Sequence, residues 1–335
     1  MIIGLSYDLK QSIHLGQSYP DDALEEYDSP ETIDALSAAI EAQGHSVIRL
    51  GGGREFLANI TQYKVDLVFN IAEGLCSYRS REAQVPAILE MLGIPYSGSD
   101  PQCLAISLDK PLTKKILAAS GITTPEWHLI GQSNQLEEID WNSFPLPAFI
   151  KPAYEGSSKG ITSGSVAYNA RQVVEVAAEI LERYHQPVLV EKFIAGDEVT
   201  VGIIGNSPPK VLGIMRVLPK NSMTNFIYCL EVKRDWENLV EYQCPAQLEA
   251  SVIHKIEKAS LEVFRVLGCR DFSRIDFKIS SSGEPYFLEI NPLPGLNPKS
   301  GDLPIMAGKM GWTYQGLISN ITNAALERYP QCVRI

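Results

Sequence analysis

The stretch 273–292 constrains this chain more than any other. Two runs of alternating apolar and polar residues flank Ser282-Gly283, a dipeptide suited to a two-residue hairpin turn. With that pair as the loop, Asp276 lies opposite Glu289 and Arg274 opposite Asn291. On the other face Ile275 meets Ile290, Phe277 meets Leu288, and Ile279 meets Tyr286. One face of the hairpin is then apolar, and the other gathers an arginine, two carboxylates and an amide. Directly opposed Asp and Glu repel, and a divalent cation between them reverses that sign. Hard oxygen donors suit Mg²⁺, which keeps further positions for water and phosphate. The alternative is a solvated polar face on which Arg274 merely neutralises a carboxylate.

Ahead of this hairpin, residues 1–100 alternate strand and helix signals, which indicates a parallel sheet covered on both sides. Strands are expected at 2–7, 46–50 and 66–70. One helix starts after Ser29, with Pro30 in its first turn, and ends near Gly44; another runs over 81–92 and stops at Gly93. Residues 101–188 open with a helix over 109–120, followed by the strand Ala148-Phe149-Ile150-Lys151, a glycine-rich loop and a helix over 169–184. Residues 189–335 hold consecutive strands, a long helix over 246–267, a proline- and glycine-rich loop at 291–304 and a last helix near 314–329. The expected fold class is α/β and α+β, in three pieces at 1–100, 101–188 and 189–335.

Composition narrows the function. With 29 basic against 40 acidic residues the net charge is −11, which argues against a nucleic-acid binder but not against a small anion in a local basic pocket. No apolar run approaches the roughly 20 residues needed to cross a membrane, and Met1-Ile2-Ile3-Gly4-Leu5 has no basic leader. Six scattered cysteines without a Cys-x-x-Cys pair read as reduced thiols of a cytoplasmic protein, and zinc is not expected.

Other segments carry candidate groups. Lys151 follows Phe-Ile and precedes Pro152, which places it at a strand end, as a site lysine or as an edge-strand charge. The loop Glu155-Gly156-Ser157-Ser158-Lys159-Gly160 could fold over phosphates or could be a surface loop. Lys110 sits at a helix start, where a basic residue opposes the helix dipole. The run Leu189-Val190-Glu191-Lys192-Phe193-Ile194, followed by Gly196-Asp197-Glu198, could read an adenine and its ribose or form an ordinary charged turn.

Taken together, Phe149-Ile150-Lys151-Pro152, the 155–160 loop, Val190-Glu191-Lys192, Arg274-Ile275-Asp276 and Glu289-Ile290-Asn291 with Pro294-Gly295 resemble the D-alanine–D-alanine ligase family of ATP-grasp enzymes. The resemblance spans the chain and is densest over 146–320. It implies a three-domain ATP-grasp fold with ATP between the second and third pieces. Lys110 and Lys151 would contact the phosphates beneath Ser157 and Ser158; Glu191, Lys192 and Ile194 would meet the adenine, and Glu198 the ribose. Asp276, Glu289 and Asn291 would hold two Mg²⁺, with Mn²⁺ as a substitute. Lys233 matches a phosphate-contacting lysine on a mobile loop, and Arg274 with the Gly295 N–H would stabilise an oxyanion. The implied chemistry phosphorylates a carboxylate to an acyl phosphate, which an amine attacks to form an amide. Positive charge at Arg274 and the lysines then lies where negative charge develops. The family also implies small-molecule substrates and a homodimer.

The substrate positions depart from the family. Its N-terminal glycine-serine signature is absent; Ser6-Tyr7-Asp8 stands there with an insertion behind it, and counting back from Gly44 assigns Glu25 to the first substrate. Glu73-Gly74 replaces His-Gly, Tyr78-Arg79-Ser80-Arg81-Glu82 replaces an acidic glycine turn, and Arg234 stands in place of a tyrosine. Lys299-Ser300-Gly301-Asp302 replaces the serine-leucine element for the second substrate. These charges imply substrates with polar ends unlike two D-alanines, unless they neutralise one another at a domain seam. The resulting expectation is an amide-forming amino-acid ligase of small-metabolite or dipeptide synthesis. A cell-wall D-alanine–D-alanine ligase and a non-catalytic ATP-binding protein are the alternatives.

Overall fold

Apolar strands divide the chain among three sheets in a computed structural model that describes residues 1–13, 19–220 and 226–332. The first sheet is parallel, ordered β2-β1-β3, from β1 (Ile2–Ser6), β2 (Ser46–Gly51) and β3 (Leu67–Asn70). On one side lies the helix Pro30–Glu41, capped by the Ser29 side chain accepting from Thr32 N–H, as its sequence predicts. On the other lie the helices Gly53–Gln62 and Gln84–Leu92, whose Phe56, Ile60, Val85 and Leu89 close a core over Val68. The helix Gly53–Gln62 has no counterpart in the sequence reading. Gly51 and Gly52 precede it and Gly53 opens it, and only Phe56 and Ile60 are buried, too sparse a stripe to show periodicity.

The second sheet is antiparallel, ordered β4-β7-β5-β6, from β4 (Trp127–Ile130), β5 (Ala148–Pro152), β6 (Val166–Ala167) and β7 (Val188–Lys192). Because β7 pairs with both β4 and β5, this sheet runs past residue 188 as far as Lys192. Helix Ala170–Tyr184 seals it with Val173, Ala177 and Ile180.

The third sheet is antiparallel, ordered β10-β9-β8-β11-β12, from β8 (Asp197–Ile204), β9 (Lys210–Pro219), β10 (Val240–Gln243), β11 (Phe272–Ile279) and β12 (Pro285–Asn291). The helix expected over 246–267 begins only at Ala250. Ahead of it the chain still follows the sheet, with Ala246 N–H donating to the Ile214 carbonyl at 2.8 Å.

The hairpin β11–β12 is present, with one correction. Arg274–Asn291, Ile275–Ile290 and Asp276–Glu289 pair as expected. Nearer the turn the partners are Phe277–Phe287 and Ile279–Pro285, one residue away from the expected register. The turn is not the two-residue Ser282-Gly283 loop. Ser280 N–H donates to Glu284 O (3.0 Å) and Gly283 N–H to Ser280 O (2.9 Å), with Gly283 left-handed at φ 74°. The longer turn shifts the register by one, and a bulge beside Asp276 restores it. Leu288 is the extra residue; instead of facing Phe277 it lines a cavity beside Glu289.

The last helix, Tyr314–Arg328, returns to the first sheet and packs Leu317, Ile318 and Ile321 against Ile33 and Leu36. Its Arg328 grips Asp271 with Nε (2.9 Å) and Nη2 (2.6 Å), and Nη2 also donates to the Tyr96 carbonyl at 2.8 Å. Asp271 is fully buried and further accepts from Gly98 N–H (2.7 Å) and Asn206 Nδ2 (2.9 Å). This one carboxylate therefore ties the start of β11 to three distant segments. Asp271→Ala leaves Arg328 unpaired and is expected to lower unfolding stability by about 3 kcal/mol. Urea denaturation reads this, and a loss under about 1 kcal/mol would show the junction to be incidental.

Candidate active site

The polar face of the hairpin is a bound network rather than a solvated one. Arg274 donates to Asp276 through Nε (3.1 Å) and Nη2 (2.9 Å), and its Nη1 lies 3.1 Å from Asp302. Thr200 on β8, directly across from Asp276, donates its hydroxyl at 2.6 Å, and Asn291 Nδ2 reaches the same carboxylate at 3.4 Å. Burial raises the Asp276 carboxyl, against the pull of Arg274 and with the push of Glu289. Burial would raise Glu289 too, but Lys110, Lys151, Lys233 and Arg274 outweigh it and hold this carboxyl well below the usual range. Lys110 does so from the helix Lys110–Ala119, its Nζ 3.3 Å from Glu289.

A cleft lies between the second and third sheets. Lys151, Ser158, Glu191, Lys192, Ile194 and Glu198 line it, together with Asp276 and Glu289. The Glu191 carboxylate is not open to a ligand in the way its sequence context implies. It is buried between Lys114 (2.6 Å) and Lys151 (2.9 Å) and so fixes Lys151 in the cleft wall. Burial lowers the Lys114 ammonium to about 8 although Glu191 opposes this. Glu198 is likewise paired, with Lys278 at 3.0 Å. Lys114, Thr200 and Lys278 escape a sequence reading because each meets its partner only through the folded sheets.

A second, open cavity lies against the first sheet's loops. Its walls hold Glu25, Glu73, Lys110, Ser157, Arg234, Asn291, Gly295 and Ser300, so every sequence-expected site residue faces one of the two spaces. Lys233, Arg274 and Asp302 face both. Lys233 belongs to the short helix Leu230–Arg234, with its ammonium 5.0 Å from the centre of the Tyr228 ring. Glu25, assigned to a substrate, instead holds Lys10 (3.2 Å) and Arg234 (2.5 Å), the charge that replaces the expected tyrosine.

The glycine-rich loop closes over both spaces and is anchored by charge. Glu155 and Glu26 share Arg81 (3.1 and 2.7 Å) and Lys159 (2.5 and 2.9 Å), a buried neutral quartet. Gly160 N–H donates to Asp22 at 2.8 Å, and Lys110 Nζ to the Glu155 carbonyl. Between these anchors Ser157 and Ser158 adopt left-handed φ of 51° and 59°, uncommon for non-glycine residues. The seam charges at Arg81 thus do neutralise one another, while Arg79 is exposed and reaches Asp109 at 3.4 Å.

Among the described residues no group of three or more His, Cys, Asp or Glu side chains forms a metal-binding cluster. Two carboxylates and an amide nonetheless match a cation that takes one or two protein carboxylates and completes its shell with phosphate and water. The anionic state of Glu289 and the lysine-lined cleft beside it fit Mg²⁺ and a nucleotide polyphosphate.

The model of the D-ala D-ala ligase C-terminus matches residues 116–323. A D-alanine–D-alanine ligase of Aquifex aeolicus is 32% identical over 293 residues, covering 88% of this chain and 94% of that protein. An uncharacterized protein of Sinorhizobium fredii is 30% identical over 323 residues, 94% of this chain and 93% of that protein. Among solved structures, D-alanine–D-alanine ligase from Bacillus anthracis complexed with ATP superposes with a TM-score of 0.73 at 23% identity, covering 99% of each chain. VanG D-Ala:D-Ser ligase from Enterococcus faecalis gives 0.73 at 21% identity over 97% of this chain and 99% of that one. The fold is that of an ATP-grasp ligase, and the family match places the chain in an enzyme class that forms C–N bonds. Within that class, this chain belongs to the D-alanine–D-alanine ligase family.

One carboxylate in the second cavity makes stability depend on pH. Burial, then Asp8, pushes Asp28 from its ordinary 3.8 to about 7. The folded chain therefore holds this proton where the unfolded chain has released it. Its contribution is fully present below about pH 4 and is lost as pH rises through about 7. Asp28→Asn is expected to raise Tm more at pH 8 than at pH 5, by calorimetry. Equal shifts at both would assign Asp28 an ordinary acidity.

Proposed function

We propose that this protein is an ATP-dependent carboxylate–amine ligase that joins an amino acid to an amine in the making of a small metabolite or dipeptide. The observation that carries this is the wall of Lys233, Arg274 and Asp302 shared by the lysine-lined cleft and the second cavity. A carboxylate bound in the second cavity would face a phosphoryl group in the first across that wall. Asp276, Glu289 and Asn291 would hold Mg²⁺, which supplies charge neutralisation for phosphoryl transfer. Lys110 and Lys151 keep their ammonium groups at that end through Glu289 and Glu191.

Arg274 is partly enclosed and stays charged because Asp276 and Asp302 outweigh the effect of desolvation. Fixed between them, it would stabilise the oxyanion formed when the amine attacks the activated carbonyl, together with the Gly295 N–H. Asp302 orients the guanidinium from the cavity side, and Tyr228 donates to Asp302 at 3.4 Å. The glycine-rich loop excludes water, against which an acyl phosphate must be protected.

The second reading is a cell-wall D-alanine–D-alanine ligase, favoured by the names of the relatives. The charged lining of the second cavity, with Glu25 already bound to Lys10 and Arg234, favours other substrates. The substrates would be small molecules, met in the cytoplasm; all six cysteines are free thiols, and among the described residues no helix is long and apolar enough to cross a membrane.

Incubation with ATP, Mg²⁺ and amino-acid pairs, reading ADP and product mass, is expected to give an amide other than the D-alanine dimer. The dimer as sole product would establish the cell-wall reading. Arg274→Ala is expected to lower kcat at least about 100-fold with the KM for ATP nearly unchanged. Retained turnover would remove Arg274 from the mechanism.

A further inference from the structure

Two lysines one turn apart on the helix Lys110–Ala119 meet carboxylates of the cleft wall. Lys110 lies 3.3 Å from Glu289 and Lys114 lies 2.6 Å from Glu191. Lys110 lines the second cavity, whereas Lys114 is fully buried and lines neither space, so its ammonium meets no ligand held in either. Its other contacts are the Phe287 carbonyl on β12 at 3.3 Å and the Phe287 ring, 5.7 Å from Nζ to the ring centre. A buried ammonium is costly to keep, and Glu191 is the carboxylate that compensates this one.

That carboxylate is shared. Its other oxygen lies 2.9 Å from Lys151, which does line the cleft. Burial lowers Lys114 to about 8; burial would lower Lys151 too, but Glu191 and Glu289 outweigh it, so both are ammonium ions at neutral pH. Two positive charges therefore meet one negative charge, and the excess is positive. Without the charge of Lys114, Glu191 would cancel Lys151, and that part of the wall would offer an anion no net attraction. With it, Glu191 is met from inside the protein, and the excess is expressed at Lys151, where screening by water is weak.

We propose that Lys114 is a positioning residue for the nucleotide: it neutralises Glu191 from the protein side and so leaves the charge of Lys151 to a phosphate in the cleft. This inference rests on the reading that the cleft takes ATP, and it adds a residue that no ligand touches. Its consequence is specific to phosphate. Adenosine carries no charge and should be indifferent to Lys114, whereas ATP should not be. A merely structural role, holding the helix against β7 and β12, would weaken both alike.

The test is calorimetric titration of the whole chain with ATP in the presence of Mg²⁺, with adenosine read by its competition against ATP. Lys114→Gln keeps a donor for Glu191 and Phe287 but removes the charge; Lys114→Met removes both. Each is expected to lower the affinity for ATP about tenfold or more while that for adenosine stays within about threefold. Adding Glu191→Gln to Lys114→Met removes the charge that cancels Lys151 and should recover at least about threefold of the loss for ATP. Equal losses for ATP and adenosine would overturn the inference and leave the ligase reading standing. So would unchanged ATP affinity in Lys114→Gln, or a double variant that binds ATP no better than Lys114→Met. A folded wild-type chain that binds no ATP would overturn both. If one single variant fails to fold, the other decides by the same comparison.

Discussion

The structure turns on two carboxylates placed directly opposite each other at the wall of a cleft. Asp276 and Glu289 would push β11 and β12 apart if left to themselves. What opposes this comes from elsewhere in the chain: Arg274 from the same strand, Thr200 from β8, Lys110 from a helix packed outside the sheet. The hairpin's polar face is thus stable only when the neighbouring segments have closed on it. The anionic field left at Glu289 is the condition for holding a hard cation, so assembly of the fold and assembly of the site are one event.

The base of this hairpin was legible because strand side chains alternate strictly, and a pairing of Ile275 with Ile290 forces Asp276 towards Glu289. Its tip was not. Ser282-Gly283 reads as a two-residue turn, yet Gly283 takes its left-handed conformation at the end of a longer one, and the bulge that compensates has no mark in the sequence. Glycine and proline punctuation located six of the twelve α-helices among the described residues. It also concealed one, since the three glycines before Phe56 look like a loop.

The partners of the site residues were less legible than the residues. Glu191 stands in a recognisable run, but its clamp on Lys151 needs Lys114, a mid-helix lysine indistinguishable by pattern from a solvent-facing one. Glu25 was placed by counting and does face the second cavity, but Lys10 and Arg234 have already taken its charge. Spacing finds a position in a fold; whether a charge there is free depends on groups that only the tertiary structure supplies.

The anchoring of the glycine-rich loop has a kinetic side. The salt-bridged quartet joins the loop, through Glu155 and Lys159, to Glu26 and Arg81 at the rim of the second cavity. Lifting the loop separates four buried charges at once, so it opens as a unit. Under the proposed ligase reading, release of ADP and product would wait on that concerted uncoupling, and its rate would set a ceiling on turnover however fast the bond is made.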